Sequence, residues 1–389
     1  AVGLTEEIII ALTSFSKFQV TGPLNRRVID KEGMDSLALG RRYGVRFVLE
    51  GTIRSNSSSF RLSVRLVDTD SGRQLWGEVL DSGLKGEEYL DFDNHVVSRV
   101  AATVAESHGL IPTLMLAEAQ KRGNKDLSTY EAILHYYNYN RYLNEDSYVH
   151  AAEGLEQAVN DPAAKADATV HGMLADLIAE SWLFGMTDDE SVLDRAEQLA
   201  RKAVSIDPSN QPGRFSMALV HALRYERDAF IEEADHALRL NPHNAIFLAA
   251  TALHLTMAGE EEEGLRLIKK AKLLNPHHPS WYHIIPYMIA YRKEDYGRAW
   301  TCARKFSTEG FYWDPLIRAA VLGRLGRPLE AKLAADELIA LVPDFKRRGR
   351  SLIRRLAFLE ENVEVLASGL RQAGLELDPI QDEVPNGYM

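Results

Sequence analysis

Equal spacing between three prolines is the feature that most constrains the fold of this chain. Pro208, Pro242 and Pro276 are each 34 residues apart, and each follows an Asp or Asn. A further proline, Pro343, stands 67 residues on, which is one period of 34 plus one of 33. Self-similarity at this period is typical of stacked helical hairpins, because each repeat buries its apolar face on the next one. The spacing therefore predicts an all-α repeat array in the second half of the chain.

Small residues keep the same register as the prolines. Ala203, Ala237 and Ala271 stand five residues before their prolines, and Ala218 and Ala252 stand 24 residues before theirs. Two helices cross closely only where their side chains are small. At these positions the chain resembles tetratricopeptide (TPR) repeats, although the usual Trp, Leu-Gly and Tyr positions are mostly replaced. The resemblance implies a right-handed superhelix of about six or seven hairpins.

Two irregularities interrupt the predicted array. The step from Pro162 to Pro208 is 46 residues, so we expect an insertion, placed at 182–189. Pro286 lies inside a first helix, where its missing N–H predicts a kink. A last helix pair over 345–375 is expected to cap the stack, because an end repeat needs a polar outer face.

The first quarter of the chain has strand periodicity between helices. Helices are predicted from Thr5, as an N-cap, and over Asp35–Tyr43, with a short strand at Phe18–Val20. Apolar and polar residues then alternate in three runs, at 45–54, 61–66 and 74–80, before a long helix over 90–108. The alternation predicts a three-strand antiparallel meander with one solvent-exposed face.

The residues of this part carry a second resemblance. Gly3-Leu4-Thr5-Glu6-Glu7-Ile8, the run Gly44–Gly51 and Gln74-Leu75-Trp76-Gly77-Glu78 are similar to the TolB-N-like domain. In bacteria this domain precedes TPR arrays in the C-terminal parts of class III adenylate/guanylate cyclase-like proteins and winged-helix regulators. The resemblance implies an α+β domain whose mixed sheet contains the antiparallel meander.

Together the two resemblances imply a division of the chain. We expect a TolB-N-like domain at 1–108, a linker at 109–126, an all-α TPR superhelix at 127–375 and an acidic tail at 376–389. The TolB-N-like family places a strand before the first helix, whereas this sequence starts on the helix. We therefore expect a fragment of a longer protein, with an effector domain upstream. An unfilled sheet edge would also permit a homodimer.

Composition narrows the function classes. The formal net charge of −11 argues against a nucleic-acid binder, whose affinity comes largely from Lys and Arg on phosphates. The single cysteine, Cys302, excludes an intramolecular disulfide. No signal peptide opens the sequence and no run of 18 apolar residues occurs, so we expect a cytoplasmic chain without a membrane contact. The sequence contains no cofactor motif, and no cofactor is expected.

The expected function is non-catalytic: a sensory or scaffold module that binds a protein or peptide partner and regulates a cyclase-like effector. The TPR resemblance places the partner in the concave groove lined by the first helices of the repeats. Packing between adjacent helices is the other explanation of these apolar and aromatic side chains. The predicted partner-binding residues are Phe215, Leu219, Leu253, Met257, His283, Tyr287, Tyr291 and Trp313.

Three alternatives stay open at this point. The parent could be a winged-helix transcriptional regulator instead of a cyclase. An enzyme or metal site could lie at His277, His278 and His283, although turn chemistry is the favoured explanation, because the first two occupy the turn positions of Ser209-Asn210 and His243-Asn244. The basic run Lys346–Arg355 could bind an acidic partner or nucleic acid, although the wet face of a capping helix also explains it.

Overall fold

The computed structural model of the chain describes residues 2–15, 18–24, 29, 31–55, 60–82, 88–122, 128–162, 166–276 and 278–379. The Cα positions divide the chain into two compact units. Unit 1 is Ala1–Leu114 with Leu273–Asn275, and unit 2 is Met115–Lys272 with Pro276–Met389. The fold is mostly helical, with one small sheet near the N-terminus.

Unit 1 combines helices with a three-stranded sheet of order β1-β2-β3. Both strand pairs are antiparallel. The elements are α1 (Val2–Thr13), α2 (Ser36–Tyr43), β1 (Phe47–Ser55), β2 (Phe60–Asp68), β3 (Arg73–Ser82) and α3 (Glu88–Ala105).

The central strand shows why the alternating pattern folds in this way. Leu62, Val64 and Leu66 of β2 are buried, whereas Arg61 and Arg65 between them are exposed. Successive side chains of a strand point to opposite faces, so one face of the sheet is covered and the other meets solvent. The predicted meander is confirmed.

Helix α2 begins and ends where local chemistry predicts. The Asp35 side chain accepts a hydrogen bond from the backbone N–H of Ala38, at 2.8 Å. At the other end Gly44 adopts φ +65°, a left-handed conformation that suits glycine because it has no Cβ.

Several predictions for unit 1 are wrong in detail. Phe18–Val20 has no regular structure, because no neighbouring strand in the described residues offers it a hydrogen-bonding partner. Helix α1 already begins at Val2, so Thr5 lies inside the helix rather than at its cap. Every strand pair of the described sheet is antiparallel, so the mixed sheet is not observed in this part of the chain.

The segment predicted as a linker is helical. Residues Leu110–Arg122 form α4. Their sequence, LIPTLMLAEAQKR, is rich in Leu, Ala, Met, Glu, Gln and Lys, which lose little entropy in a helix. Its proline stands in the first turn, where the missing N–H costs nothing. The boundaries of the predicted domains stay a prediction.

One stretch of helix in the described residues, Val96–Lys121, is long and apolar enough to cross a membrane by length and composition alone. Half of its most apolar window is buried inside the protein. Buried core helices pass the same test, so this composition is weak evidence for a membrane span.

Unit 2 is a succession of helical hairpins, seven of them in the described residues. They are α5 (Thr129–Tyr142) with α6 (Glu145–Asn160), α7 (Ala168–Leu183) with α8 (Val192–Ile206), α9 (Gln211–Leu223) with α10 (Arg227–Leu240), α11 (Ala245–Met257) with α12 (Glu261–Leu274), α13 (Ile284–Arg292) with α14 (Tyr296–Ala303), α15 (Trp313–Arg324) with α16 (Pro328–Leu341), and α17 (Phe345–Ala357) with α18 (Glu360–Gln372).

The turn between hairpins explains the repeated sequence motif. The carboxylate of Asp207 accepts a hydrogen bond from the N–H two residues on, and Asn241 does the same one period later. Three positions further, Asn210 and Asn244 cap α9 and α11 by accepting from an N–H of the first turn. Asn and Asp favour these local bonds, so the same residues recur at the same turn positions.

The fifth hairpin does not have the kink that was expected at Pro286. A short 3₁₀ helix, Ser280–His283, precedes α13, and Pro286 is the third residue of that α-helix. Its missing N–H falls among the first four, which have no partner inside the helix anyway. The proline therefore fits the first turn of a shortened helix. An insertion of about a dozen residues was expected at 182–189, and the loop at 184–191 accounts for five of them, since it has eight residues where the loop at 224–226 has three.

Glycines allow two helices to approach closely near the C-terminus. A Cβ on Gly369 of α18 would lie 2.6 Å from the carbonyl oxygen of Ala320 on α15. A Cβ on Gly323 of α15 would collide with the carbonyl oxygen of Gly369. The last hairpin thus packs closely on the sixth one at these two glycines.

The acidic tail begins in contact with the last hairpin. Leu377 is buried, and a Cβ on Gly349 would touch its side chain at 3.0 Å. The N–H of Asp378 donates to the carbonyl oxygen of Lys346, at 2.9 Å. Residues 380–389 lie outside the described residues, and the prediction of a disordered tail falls mainly on them.

Candidate functional site

The array of unit 2 closes on itself through α17. Arg355 of α17 donates to the carbonyl oxygens of Trp182 and Thr187, both at 2.9 Å, and to Asp188 Oδ1 at 2.7 Å. Its guanidinium also lies over the Trp182 ring, 4.8 Å from the centroid. Arg348 adds bonds to the carbonyl oxygen of Gly185 at 3.1 Å and to Asp188 at 2.8 Å. We call these contacts the closing contact.

The closing contact shifts the pKa of its carboxylate. Burial acts to raise the pKa of Asp188, but the hydrogen bonds from Arg348 and Arg355 outweigh it, and the pKa is lowered. The acid is therefore ionised at neutral pH and charge-assisted bonds hold the seventh hairpin against the second.

A cavity lies on the inner side of this closed array. It encloses about 660 Å³ of empty space, counting the part open to solvent, and the centre of a water molecule can occupy about 50 Å³ of it. The first helix of every hairpin contributes to the lining. One contributor from each, in chain order, is Tyr136, Asp176, Phe215, Leu253, Ile284, Trp313 and Leu356.

Aromatic rings form much of the lining. We call them the aromatic wall: Phe184, Phe215, Phe247, Trp281, Phe306, Phe311 and Trp313. Phe215 and Phe247 stack with centroids 4.2 Å apart, and Phe184 meets Phe311 edge to face at 5.0 Å. Such pairs are stabilised beyond their area burial, so the wall is a packed surface rather than a set of independent rings.

Two carboxyl groups stand in this apolar setting. Asp176 and Glu180, which we call the acid pair, lie four residues apart on α7 and share one face of that helix. The Tyr136 hydroxyl donates to Asp176 Oδ2, at 2.6 Å. Asp176 Oδ1 and Glu180 Oε2 are buried and have no hydrogen-bond partner among the described residues.

Burial keeps protons on the acid pair. It raises the pKa of Asp176 to about 7, although the bond from Tyr136 favours the ionised form. Burial, and then the charge of Asp176, raise the pKa of Glu180 well above its usual value. Perturbed carboxyls in a cavity mark a candidate functional site, because such positions are costly unless something uses them.

A histidine also lines the cavity. His254 is buried, and its ring stacks on Phe358 with centroids 5.9 Å apart. Burial lowers the pKa of this imidazole to about 4, so the ring is neutral at pH 7. Its Nε2 has no hydrogen-bond partner among the described residues.

The predicted partner-binding residues divide into two groups. Phe215, Leu253 and Trp313 line the cavity, where the aromatic wall brings them together. Leu219 and Met257 are buried and do not line it. Whether any of these five residues binds a partner stays a prediction.

The remaining three residues of that set lie in the fifth hairpin. Tyr287 and Tyr291 are fully buried, and their hydroxyls donate to carbonyl oxygens of α15, at 3.1 and 3.3 Å. The hydroxyls are therefore not free for a peptide, contrary to expectation, since α15 packs directly on α13. His283 is half-buried, with Nδ1 3.2 Å from Lys272 Nζ.

The two described histidines of the predicted cluster, His278 and His283, are not among the residues that line the cavity. The rings of His278 and His283 are 5.2 Å apart, centroid to centroid, and burial lowers the pKa of both, that of His283 to about 4. His277 lies outside the described residues. The described residues contain no group of three His, Cys, Asp or Glu side chains that could hold a metal ion.

Most of the basic run on α17 is paired with neighbouring acids. Five arginines there each have an acidic partner. The pairs are Arg347 with Asp344, Arg348 with Asp188, Arg350 with Glu364, Arg354 with Glu360, and Arg355 with Asp188. Phosphate binding needs Lys and Arg that can exchange counterions, so these pairs weaken the nucleic-acid alternative.

Sequence reasoning missed the acid pair. Its signal was present, because Asp176 and Glu180 are the two carboxylates of a helix, ATVHGMLADLIAESWL, that is otherwise mostly apolar. Charged residues are rarely buried without partners, so two acids on one face of such a helix indicate a site.

Among known proteins, the chain is similar to a distant relative and to distantly related solved structures. No family model matches the chain. The chain is 28% identical over 243 residues to "Putative adenylate cyclase 3" of Rhizobium meliloti (strain 1021). That match spans 60% of this chain and 38% of the relative, well under half of its length. Among solved structures, "Crystal Structure of the Yeast Tom70" matches with a TM-score of 0.39 and 14% identity, over 74% of this chain and 67% of that one. This similarity is too distant to support any conclusion beyond the hairpins described above.

Proposed function

We propose that this chain is a non-catalytic sensory module whose helical repeats bind a ligand in the cavity on their inner side. The observation that carries the proposal is the lining itself, to which the first helix of all seven described hairpins contributes. An occupant would contact every repeat at once, so its binding would affect the packing of the whole array. Small-molecule sites are typically concave, mostly apolar and equipped with a few polar groups, as this cavity is.

The size and lining of the cavity favour a smaller ligand than the peptide expected from the sequence. A TPR-like array was expected to hold an extended peptide in an open groove. The closing contact joins the second and seventh hairpins, and a cavity that is partly open to solvent lies between the first helices in place of such a groove. We propose a small molecule, or a single side chain or chain end of a protein partner, as the occupant. The enzyme alternative gains no support, because His278 and His283 do not line the cavity.

A cavity-filling variant tests the binding site. Ala250 lines the cavity, and Ala250→Leu would occupy part of the space with three added carbons. The wild type and the variant are screened by thermal unfolding against a library of metabolites and short peptides. Ligands that stabilise the wild type should fail to stabilise Ala250→Leu and should still stabilise Ala166→Leu, a change at an exposed position. Hits that stabilise all three proteins equally, or a library without hits, would count against the cavity.

We further propose that the module regulates an adenylate/guanylate cyclase-like effector in a longer protein. The similarity to the Rhizobium meliloti relative supports this step, together with the TolB-N-like and TPR resemblances. The test is a chimera in which this chain replaces the matched part of that relative. Ligand should change cyclic nucleotide production by the chimera, and Ala250→Leu should abolish the response. A chimera that is active but indifferent to ligand would remove the regulatory role and leave the binding site untouched.

A further inference from the structure

The acid pair has no basic neighbour in the cavity. Lys and Arg are absent from the described residues that line it. His254 cannot supply a positive charge, because burial keeps its imidazole neutral at pH 7. The groups that act on the pair are uncharged: Tyr136 donates to Asp176, and the Tyr139 hydroxyl lowers the pKa of Glu180 as a hydrogen-bond donor. Buried carboxylates are normally paired with a cation or protonated, so the ionised pair lacks a cationic partner among the described residues that line the cavity.

The surroundings indicate which kind of donor fits. The aromatic wall and the acid pair line the same cavity. Aromatic faces attract cations through the ring quadrupole, and more strongly where the cation is desolvated. A ligand with a positive charge and an apolar body would satisfy both parts of the lining. An anion would meet two acids and no base.

A metal ion fits the lining less well. Mg²⁺ and Ca²⁺ take six to eight oxygen ligands. The acid pair offers four carboxylate oxygens, and one of them already accepts from Tyr136. Most of the other lining side chains are hydrocarbon. The cavity therefore suits an organic cation better than an inorganic one.

We propose, on the basis of the binding function above, that the cavity binds a small organic ammonium ion. Its N–H groups donate to the carboxylates of the acid pair, and its apolar body packs on the aromatic wall. In the ligand-free protein the pair holds a proton in place of this cation, because burial favours the neutral carboxyl. Binding of the ammonium ion releases that proton, so the charge inside the cavity changes little.

A matched series of ligands tests the charge. The probes are primary ammonium ions from propylammonium to tryptammonium, each with the alcohol of the same skeleton, plus 3-phenylpropionate and CaCl₂. At a concentration 100 times its Kd, the best ammonium ion should raise the Tm of the wild type by about 5 °C or more. The alcohols, the carboxylate and Ca²⁺ should have little effect. Equal stabilisation by the alcohols, a larger effect of Ca²⁺, or no stabilisation by any ammonium ion would overturn the proposal.

Isosteric variants test the acid pair. Asp176→Asn/Glu180→Gln keeps the shape and an acceptor for Tyr136, and it should weaken ammonium binding at least about 30-fold. Glu153→Gln, which removes an exposed acid, should leave the Kd within about twofold, because exposed charges are screened. If the double variant does not unfold cooperatively, Glu180→Gln alone carries the comparison. Ammonium binding that survives these changes would contradict the assigned contacts.

Two further outcomes separate this inference from the proposed function. If alcohols bind as tightly as ammonium ions and Ala250→Leu blocks both, the cavity is the site but the charge class is wrong. If ammonium ions bind Ala250→Leu unchanged, both proposals fall. The last probe is N-acetyl-lysine amide, whose ammonium group is borne by a protein side chain. Tighter binding of this probe than of every free amine would assign the cavity to a protein partner and overturn the small ligand.

Discussion

The closing contact offers a direct test of how unit 2 is held together. Arg355→Met keeps most of the apolar stem of the side chain and removes the guanidinium. Three hydrogen bonds from a charged donor are lost, two of them to carbonyl oxygens and one to Asp188. The arginine is 8% exposed, whereas its carboxylate partner is 61% exposed and can be hydrated again. We therefore expect a loss of about 3 kcal/mol, toward the low end for a broken buried pair.

The same helix provides a matched control. Arg347 pairs with Asp344 one turn away, and its side chain is 72% exposed. Exposed pairs of this kind contribute little, so Arg347→Met should cost about 0.5 kcal/mol or less. Arg355→Lys should fall between the two, because an ammonium group cannot serve three acceptors in the fork geometry of a guanidinium.

Thermal and urea unfolding measure the effect. Four of the five tryptophans lie in unit 2, so their fluorescence reports mainly on that unit. A loss of 3 kcal/mol should lower its Tm by about 6–12 °C. Combining Arg355→Met with Asp188→Asn should cost less than the sum of the two single changes, since both break one contact. An Arg355→Met protein that is as stable as Arg347→Met would refute the closing contact.

Three further changes have expected outcomes. Gly264→Ala should lower the Tm although Ala favours helices, because its Cβ would collide with Thr256 Oγ1. Gly297→Ala should be neutral or slightly stabilising, because its Cβ would make one ordinary contact, 3.8 Å from Asp295 Oδ1, and equal shifts of the two variants in calorimetry would contradict this packing. Asp176 has a pKa of about 7 in the folded state against about 4 unfolded, so its stabilising contribution is lost as pH rises between these values. Asp176→Asn should therefore gain about 2–3 kcal/mol over the wild type from pH 5 to pH 8 in urea titrations, and a constant difference would argue against a buried acid. The pKa of His254 is about 4, so the wild type should lose stability as pH falls from about 6.5 toward 4, and His254→Phe should flatten that part of the Tm–pH curve.

The repeats could be predicted from the sequence because their turns are local chemistry. Asp207 and Asn210 form their hydrogen bonds within three residues, so the residues that form the turn are the same residues that recur in the sequence motif. The 34-residue period follows from the length of one hairpin. The strand meander was predictable for the same reason, because alternation along β2 reports directly on its two faces.

The candidate site depends on contacts between distant parts of the chain. Arg355 meets the carbonyl oxygen of Trp182 across 173 positions, and no local pattern encodes that pairing. Once the array closes, the apolar first helices face a confined space, and residues such as Tyr287 become packing residues. Three of the eight residues predicted to bind a partner, Phe215, Leu253 and Trp313, line the cavity, but the sequence could not show how much space stays open between the helices.

The closing contact also fixes when the array can become complete during synthesis. A linear repeat array can fold from its N-terminal end as each hairpin leaves the ribosome, because each repeat needs only its neighbour. Here α7 meets its partner only after α17 has been made, about 160 residues later. Until then the aromatic wall faces water on a nascent chain, a surface that chaperones recognise and that can aggregate. The C-terminal hairpin therefore acts as the final folding step of unit 2, and truncations before Phe345 should yield chains that remain bound to chaperones rather than shorter stable arrays.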